Sequence, residues 1–246
     1  MSKIEFVSTT KGLSEIEWAR PKPAKQFIPE WFKKIPNNLP DPTIRDCPVI
    51  PDYFSMGYVM PMWMDSILTL HKETNTFSTR SSQMFPKWEH HPELQFLDYV
   101  ESNHLGLPID FVFKAIAPWR IITEPGWSVL QLPMFYNFNK DWTVLPGIID
   151  TDIHHEINVQ VLYHGNGKED TWINAGEGLA LYIPFKREKH KLEVRDALEE
   201  DAKRFQVQSM EYYTKFAPTG VYKKKQRDRD KVKPGFLDNL RKRLEY

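Results

Sequence analysis

The densest chemistry in this 246-residue chain lies in Asp150-Thr151-Asp152-Ile153-His154-His155-Glu156, which puts five potential metal ligands into seven residues. Two histidines and one carboxylate make the ligand set of mononuclear non-haem iron enzymes. His154 and Glu156 form an H-x-E pair, and on a strand alternate side chains share a face. They are the candidate metal ligands, with iron as the cofactor they would hold. The pattern lacks a distal histidine, because His164 lies just beyond the same strand and His190 follows the last one. The competing reading is a polar loop in which Asp150 and Asp152 bond turn amides, with no cofactor at all.

A second constellation is aromatic. Trp119, Trp127, Phe135, Tyr136, Phe138 and Trp142 cluster in sequence, with prolines between them, and Trp63 and Trp88 precede them. Such side chains could wall a pocket for a sugar or another flat ligand, or could fill the core of a Trp-rich sandwich. The expected ligand site combines Trp63, Trp119 and Trp127 with Asp150 and Asp152. Carboxylates beside aromatic walls favour a neutral polyhydroxylated or cationic ligand over a phosphate, with Arg120 and Lys140 the main cations nearby.

Several catalytic patterns are missing. There is no G-x-x-x-x-G-K-[ST], no G-x-G-x-x-G and no G-x-S-x-G, and the single Cys47 sits between Asp46 and Pro48. Nothing in that setting would lower a thiol pKa. No catalytic residue is assigned.

The elements that must position these groups read as strands. Short apolar or β-branched runs fall at 58–63, 66–71, 74–82, 111–117, 119–123, 127–133, 144–149, 157–164, 171–174 and 179–185. Turn chemistry separates them, as at Glu124-Pro125-Gly126 and His164-Gly165-Asn166-Gly167. This spacing predicts a mainly β fold, α+β overall: a jelly-roll or cupin-like antiparallel sandwich. Nine of the 19 prolines lie between Pro21 and Pro61. They predict an extended N-terminal arm over 1–52, packed on a sandwich over 53–190, with one short helix near Pro29–Lys34. Residues 191–216 lack Pro and Gly and predict a helix within a 191–220 segment that packs on the sandwich. Residues 221–246 form a basic tail ending in a short amphipathic helix.

Charge is uneven beneath a neutral total. The tail from Val221 holds ten basic and four acidic residues, which leaves the body at −6. Complementary body and tail predict self-association, probed below, while the tail's lack of interleaved aromatics speaks against nucleic acid. No run of about 18 apolar residues occurs, so no membrane span is expected. One cysteine excludes an internal disulfide and fits a reducing compartment.

Five ordered motifs then carry a resemblance. Pro21-Lys22-Pro23-Ala24 leads to Pro29-Glu30-Trp31-Phe32-Lys33-Lys34, and Cys47-Pro48 precedes Gly57-Tyr58 and Pro61-Met62-Trp63. Pro118-Trp119-Arg120-Ile121 through Thr123-Glu124-Pro125-Gly126-Trp127-Ser128 follows a P-W-x-I-x-T-P-P-G-Y-S signature, departing at Glu124 and Trp127. Leu145 to Asp152 matches L-x-G-V-V-D-T-D, and Gly176 to Glu188 matches G-x-P-x-x-Q-x-x-P-F-K-R-E. Over residues 20–190 the chain resembles a conserved protein family of marine tailed phages, cyanophages especially, and more loosely some bacterial domains. The family has no assigned activity, so the resemblance implies a viral origin, in host cytoplasm or virion, and no mechanism. His154-His155-Glu156 departs from the family pattern. The expected function is a non-enzymatic phage protein, either a virion component or a module binding a host protein or ligand. The alternative is a cupin-like iron oxygenase of the oxoglutarate type using His154 and Glu156.

Overall fold

A computed structural model describes residues 2–36, 43–47, 49–71, 73–74, 76–81, 87–90, 111–165, 170–219 and 228. The basic tail and its helix therefore lie outside the described residues, save Asp228. The chain divides into two compact units, Met1–Lys33 with Phe54–Lys189, and Lys34–Tyr53 with His190–Tyr246.

The first unit is mainly β, as its periodicity predicts, and every strand pair is antiparallel. Its strands are β1 (Ile4–Ser8), β2 (Lys22–Pro23), β3 (Tyr58–Pro61), β4 (Ser66–His71), β5 (Thr76–Ser81), β6 (Lys87–His90), β7 (Phe111–Thr123), β8 (Trp127–Pro133), β9 (Trp142–Val144), β10 (Gly147–Ile149), β11 (Glu156–Tyr163), β12 (Thr171–Ile173) and β13 (Gly178–Lys186). One sheet runs β1-β7-β11-β9, with β6 also on β7; a second runs β10-β8-β13-β3-β2; a third runs β12-β4-β5.

Alternation builds the core. Phe113, Ala115, Ala117, Trp119 and Ile121 of β7, and Ile157, Val159, Val161 and Tyr163 of β11, occupy every second position and are buried. They join Met60, Val129, Ala180 and Tyr182 of the second sheet in one cluster. Burying such a set is the dominant favourable term in folding. The cluster also takes Trp63 and Trp119, each 2% exposed, so those two indoles are packing groups and form no open wall.

Prolines explain two departures from the expected strands. Residues 111–117 and 119–123 form one strand, because Pro118 faces the register shift between Glu156 and Asn158 of β11. A residue without an N–H is tolerated at a bulge. The 144–149 run is instead two strands of different sheets, β9 and β10, interrupted at Leu145-Pro146. Within the expected arm, β1 pairs with β7 at a sheet edge, with Ser8 opposite Trp119 and Ile4 opposite Thr123. The short helix α1 (Glu30–Lys33) lies where it is expected.

Helix α2 (Val49–Ser55), which the proline count did not predict, places Pro51 in its first turn. In the second unit, α3 (Glu199–Thr219) starts eight residues later than the 191–216 expectation. Asp201 fixes that start: its carboxylate accepts the Leu198 N–H at 3.2 Å and ion-pairs with Arg195 and Arg204. Among the described residues no helix is long and apolar enough to cross a membrane.

Candidate functional site

Two places in the first unit gather the residues singled out above. The first lies where β7, β8, β10 and β13 end. The chain leaves β7 at Thr123, turns through Glu124–Gly126 with Gly126 at φ 84°, and enters β8. It leaves β10 at Ile149 and turns tightly, with the Asp150 carbonyl accepting the Ile153 and His154 amides at 3.0 and 2.8 Å. Arg187, one residue past β13, joins the two turns. Its guanidinium pairs with Asp150 at 2.8 Å and with Asp152, and its amide donates to the Gly126 carbonyl at 2.8 Å.

Most of the remaining polar groups are engaged, but Asp152 Oδ1 is buried without a hydrogen-bond partner among the described residues. Asp152 accepts the Gly126 amide at 2.8 Å and Asp150 accepts the Ser128 hydroxyl at 2.7 Å. The Ser128 bond, more than Arg187, holds the Asp150 carboxyl below the usual carboxylate range. Thr123 Oγ1 donates to the Trp127 carbonyl at 3.2 Å, so Thr151 Oγ1, 2.7 Å away, must donate to Thr123. His155 Nδ1 lies 2.9 Å from the Thr151 carbonyl, which places the proton on that nitrogen. Segments 123–128, 150–152 and 184–188, distant in sequence, thus form one clamp whose polar groups bond one another, save the buried Asp152 Oδ1.

The clamp does not complete a metal centre. His154 is exposed on the turn, and Glu156 opens β11 opposite Arg120, with which it pairs at 3.5 Å. The two are therefore not alternate residues of one strand, as the H-x-E reading required. Among the described residues no group of three or more His, Cys, Asp or Glu could hold a metal ion. Trp127 is half-buried at the edge of the clamp, whereas Trp63 and Trp119 lie in the core. The five residues expected to form one ligand site do not converge on an open surface.

The second place is an aromatic ledge. Phe32 and Phe54 are buried with ring centroids 4.8 Å apart, and Phe54 meets Tyr136 at 5.2 Å. Tyr136 contacts Phe135 at 5.4 Å and Phe138 at 6.2 Å, and Trp31 contacts Phe138 at 5.8 Å. Edge-to-face pairs at these distances are the favoured aromatic geometry. The Trp31 indole N–H donates to the Tyr136 carbonyl at 2.8 Å, tying α1 to a loop 105 residues away. At the top of the stack Phe135 and Phe138 are each 63% exposed.

The loop holds those rings at a cost. Phe138 has φ 50° and ψ 45°, the left-handed region, and is the one non-glycine residue with positive φ among the described residues. Phe138 is the left-handed C-cap of the Phe135–Asn137 helical turn, a conformation that costs a bulky residue about 1–3 kcal/mol. Neighbours enforce it: Phe138 N bonds the Phe135 carbonyl at 3.3 Å, and Asn139 Oδ1 accepts the amides of Asp141 and Trp142 at 2.9 and 3.1 Å. The aromatic count in the sequence included Phe135, Tyr136 and Phe138. It did not connect them to Trp31, because nothing in a sequence shows a contact across 105 residues.

Comparison with known proteins adds no family. No family model matches the chain, and no curated protein matches it. Solved structures that match include a mutant dUTPase of phage phi11 of S. aureus, described with a structural Mg(II) ion (11% identity, TM-score 0.36, 80% of this chain and 99% of that chain). A Staphylococcus bacteriophage 80alpha dUTPase mutant with dUpNHpp matches at 10% identity and TM-score 0.37, over 80% of this chain and 99% of that chain. Likeness at this level assigns this chain no substrate. The matched proteins are phage dUTPases. The expectation of a non-enzymatic virion component or binding module is corrected on that finding, as is the iron-oxygenase alternative, whose His154 lies outside β11.

Proposed function

We propose that the protein acts on or carries a small molecule with a flat ring, which stacks on the ledge of Trp31, Phe135 and Phe138. One observation carries the reading: the Phe135 and Phe138 rings, each 63% exposed, stand together beside Trp31 at the end of one short helical turn. A phenyl that is mostly exposed stabilises the fold less than a buried one, and the left-handed backbone of Phe138 opposes folding. A ring stacking on such a face gains about 1–3 kcal/mol per base-sized partner. The reading rests on the ledge alone, and a phage origin accompanies it through the five motifs quoted above.

Calorimetric titration with nucleosides and with methyl glycosides tests it, alongside a Phe135→Ser/Phe138→Gly variant. Saturable binding that the double variant loses, with an unchanged circular dichroism spectrum, is the expected outcome. If the variant binds as well as the parent, or neither binds at millimolar ligand, the reading fails.

A second observation favours self-association. Ile148 is 65% exposed on β10, the edge of its sheet, and lies in register with Leu130 and, across β8, with Ile183. An antiparallel edge can pair with its own copy about a two-fold axis. Light scattering should show a dimer that Ile148→Lys converts to monomer; a monomeric parent at micromolar concentration ends this idea.

A further inference from the structure

One exposed indole beside a polar cluster shares no residue with the clamp or the ledge. It lies on the outer face of the three-stranded sheet β12-β4-β5. We infer that this face is a carbohydrate site, in which Trp172 stacks on a sugar ring and the Asp170–Arg80 pair bonds its hydroxyls. Alternation sorts the two faces of the sheet. Ser66 and Leu68 of β4 and Thr171 and Ile173 of β12 are buried, so Ile67, Thr69 and Trp172 face the other way. Trp172 is 56% exposed there.

Register and hydrogen bonds place the polar groups beside the indole. Trp172 stands opposite Ile67, and Thr171 opposite Leu68. One step further along, Asp170 meets Thr69, whose hydroxyl donates to Asp170 Oδ1 at 2.6 Å. On the other side of β4, Arg80 stands opposite Ile67 and Ser78 opposite Thr69. The Arg80 guanidinium reaches past β4 to pair with Asp170, whose side chain is one-third exposed. Ser78 Oγ continues the row, 2.9 Å from His71 Nε2. Trp172 and Asp170, two residues apart on one face, are separated by about 7 Å along the strand. One pyranose ring with its hydroxyls spans that gap.

The bonding capacity left over selects the partner. A guanidinium donates only and a carboxylate accepts only, and neither is exhausted by the other. Arg80 has five N–H bonds, and each Asp170 oxygen keeps a second lone pair. Adjacent hydroxyls of a sugar, each both donor and acceptor, give to Asp170 and accept from Arg80 together. Bonds to charged groups are about twice as strong as neutral ones. An anion would meet the Asp170 carboxylate and a cation the Arg80 guanidinium, so the pair favours an uncharged ligand. The indole supplies a flat apolar surface. A single ring beside hydroxyl-binding groups suits a ligand that is apolar on one face and polar around its rim.

Titration calorimetry of the full chain with methyl glycosides of glucose, galactose, mannose and N-acetylglucosamine tests the site, with Trp172→Ala and Asp170→Asn as variants. The parent should bind at least one glycoside, and each variant should lose at least tenfold in affinity. Trp172→Leu keeps an apolar side chain without a ring and should lose as much, which separates stacking from any loss of fold. The ledge variant Phe135→Ser/Phe138→Gly should bind that glycoside as the parent does. Affinity that survives Trp172→Ala, or that falls in the ledge variant instead, overturns the assignment to this face. Glucuronate binding tighter than the glucoside overturns the uncharged ligand. A nucleoside that binds more tightly than every glycoside, and does so through Trp172, overturns the carbohydrate. If no glycoside binds at millimolar concentration the inference fails, whatever nucleosides do at the ledge.

Discussion

The clamp around Arg187 and the ledge around Phe138 differ in how their groups are satisfied. In the clamp, Asp150, Asp152, Ser128, Thr123, Thr151 and the Gly126 amide bond one another or Arg187. In the ledge, the two outermost rings are each 63% exposed. The clamp residues spend most of their bonding capacity on one another, with Asp152 Oδ1 the buried exception. Plain residues held where the fold gains nothing are the better sign of a ligand.

The sharpest way to break the comparison is to remove Arg187. The Asp152 side chain is 7% exposed, so Arg187→Ala leaves a carboxylate with little solvent and no counter-ion. Losing one partner of a buried pair costs about 3–5 kcal/mol. Asp150 is more exposed and discounts the figure toward its lower end. Chemical denaturation should show the loss, while ring-ligand affinity measured well below the transition stays unchanged. Lost affinity with stability intact would mean that the clamp is the ligand site after all.

The reciprocal change is Phe138→Gly. Glycine reaches φ 50° freely, so stability should hold or rise, even as one stacking face disappears. Affinity should fall about 10–100-fold, equivalent to the roughly 1–3 kcal/mol of one stacked ring. If stability falls instead, Phe138 is a packing residue and the ledge is part of the core.

A smaller effect separates the ledge from its support. Trp31→Phe keeps an aromatic ring but deletes the bond to the Tyr136 carbonyl, a loss of about 1 kcal/mol. Affinity should weaken a few-fold, since the face that meets Phe138 is no longer anchored. An unchanged affinity would confine the stacking surface to Phe135 and Phe138.

These regions were unequally legible before the fold was known. Short apolar runs bounded by turn residues marked β4, β8 and β13 to within a residue or two, because buried strands concentrate apolar and β-branched side chains. Pro118 and Pro146 misled in opposite directions. Pro118 sits inside one continuous strand at a bulge, and Pro146 separates two strands of different sheets. Local chemistry cannot tell those cases apart, since the partner strand decides whether an N–H is needed. The H-x-E pair failed likewise: β11 begins at Glu156, so His154 never shares its face. Phe135 and Phe138 were visible as aromatics, but exposure in a loop follows no period. Arg187 left no local signal, because its partners lie 35 and 37 residues earlier.

The smallest predicted effect uses pH to contrast the clamp with the 174–177 turn. Asp150 has a folded pKa below its usual 3.8, chiefly because Ser128 donates to the ionised form. Its stabilising contribution is present above that usual value and is lost as pH falls through the lowered one. Glu177 behaves oppositely. It is half-buried, and burial raises its pKa above the usual 4.5 despite the Asn174 amide that its carboxylate accepts at 3.0 Å. Folding therefore favours its protonated form, and stability falls as pH rises from 4.5 through the raised value. Asp150→Asn should flatten the dependence of stability on pH below 3.8, whereas Glu177→Gln should remove a decline above 4.5. Urea midpoints measured from pH 3 to pH 7 check both. A Glu177→Gln curve parallel to the parent above 4.5 would show that the carboxyl ionises without cost in the fold, and that the 174–177 turn is as well solvated as the clamp's outer edge.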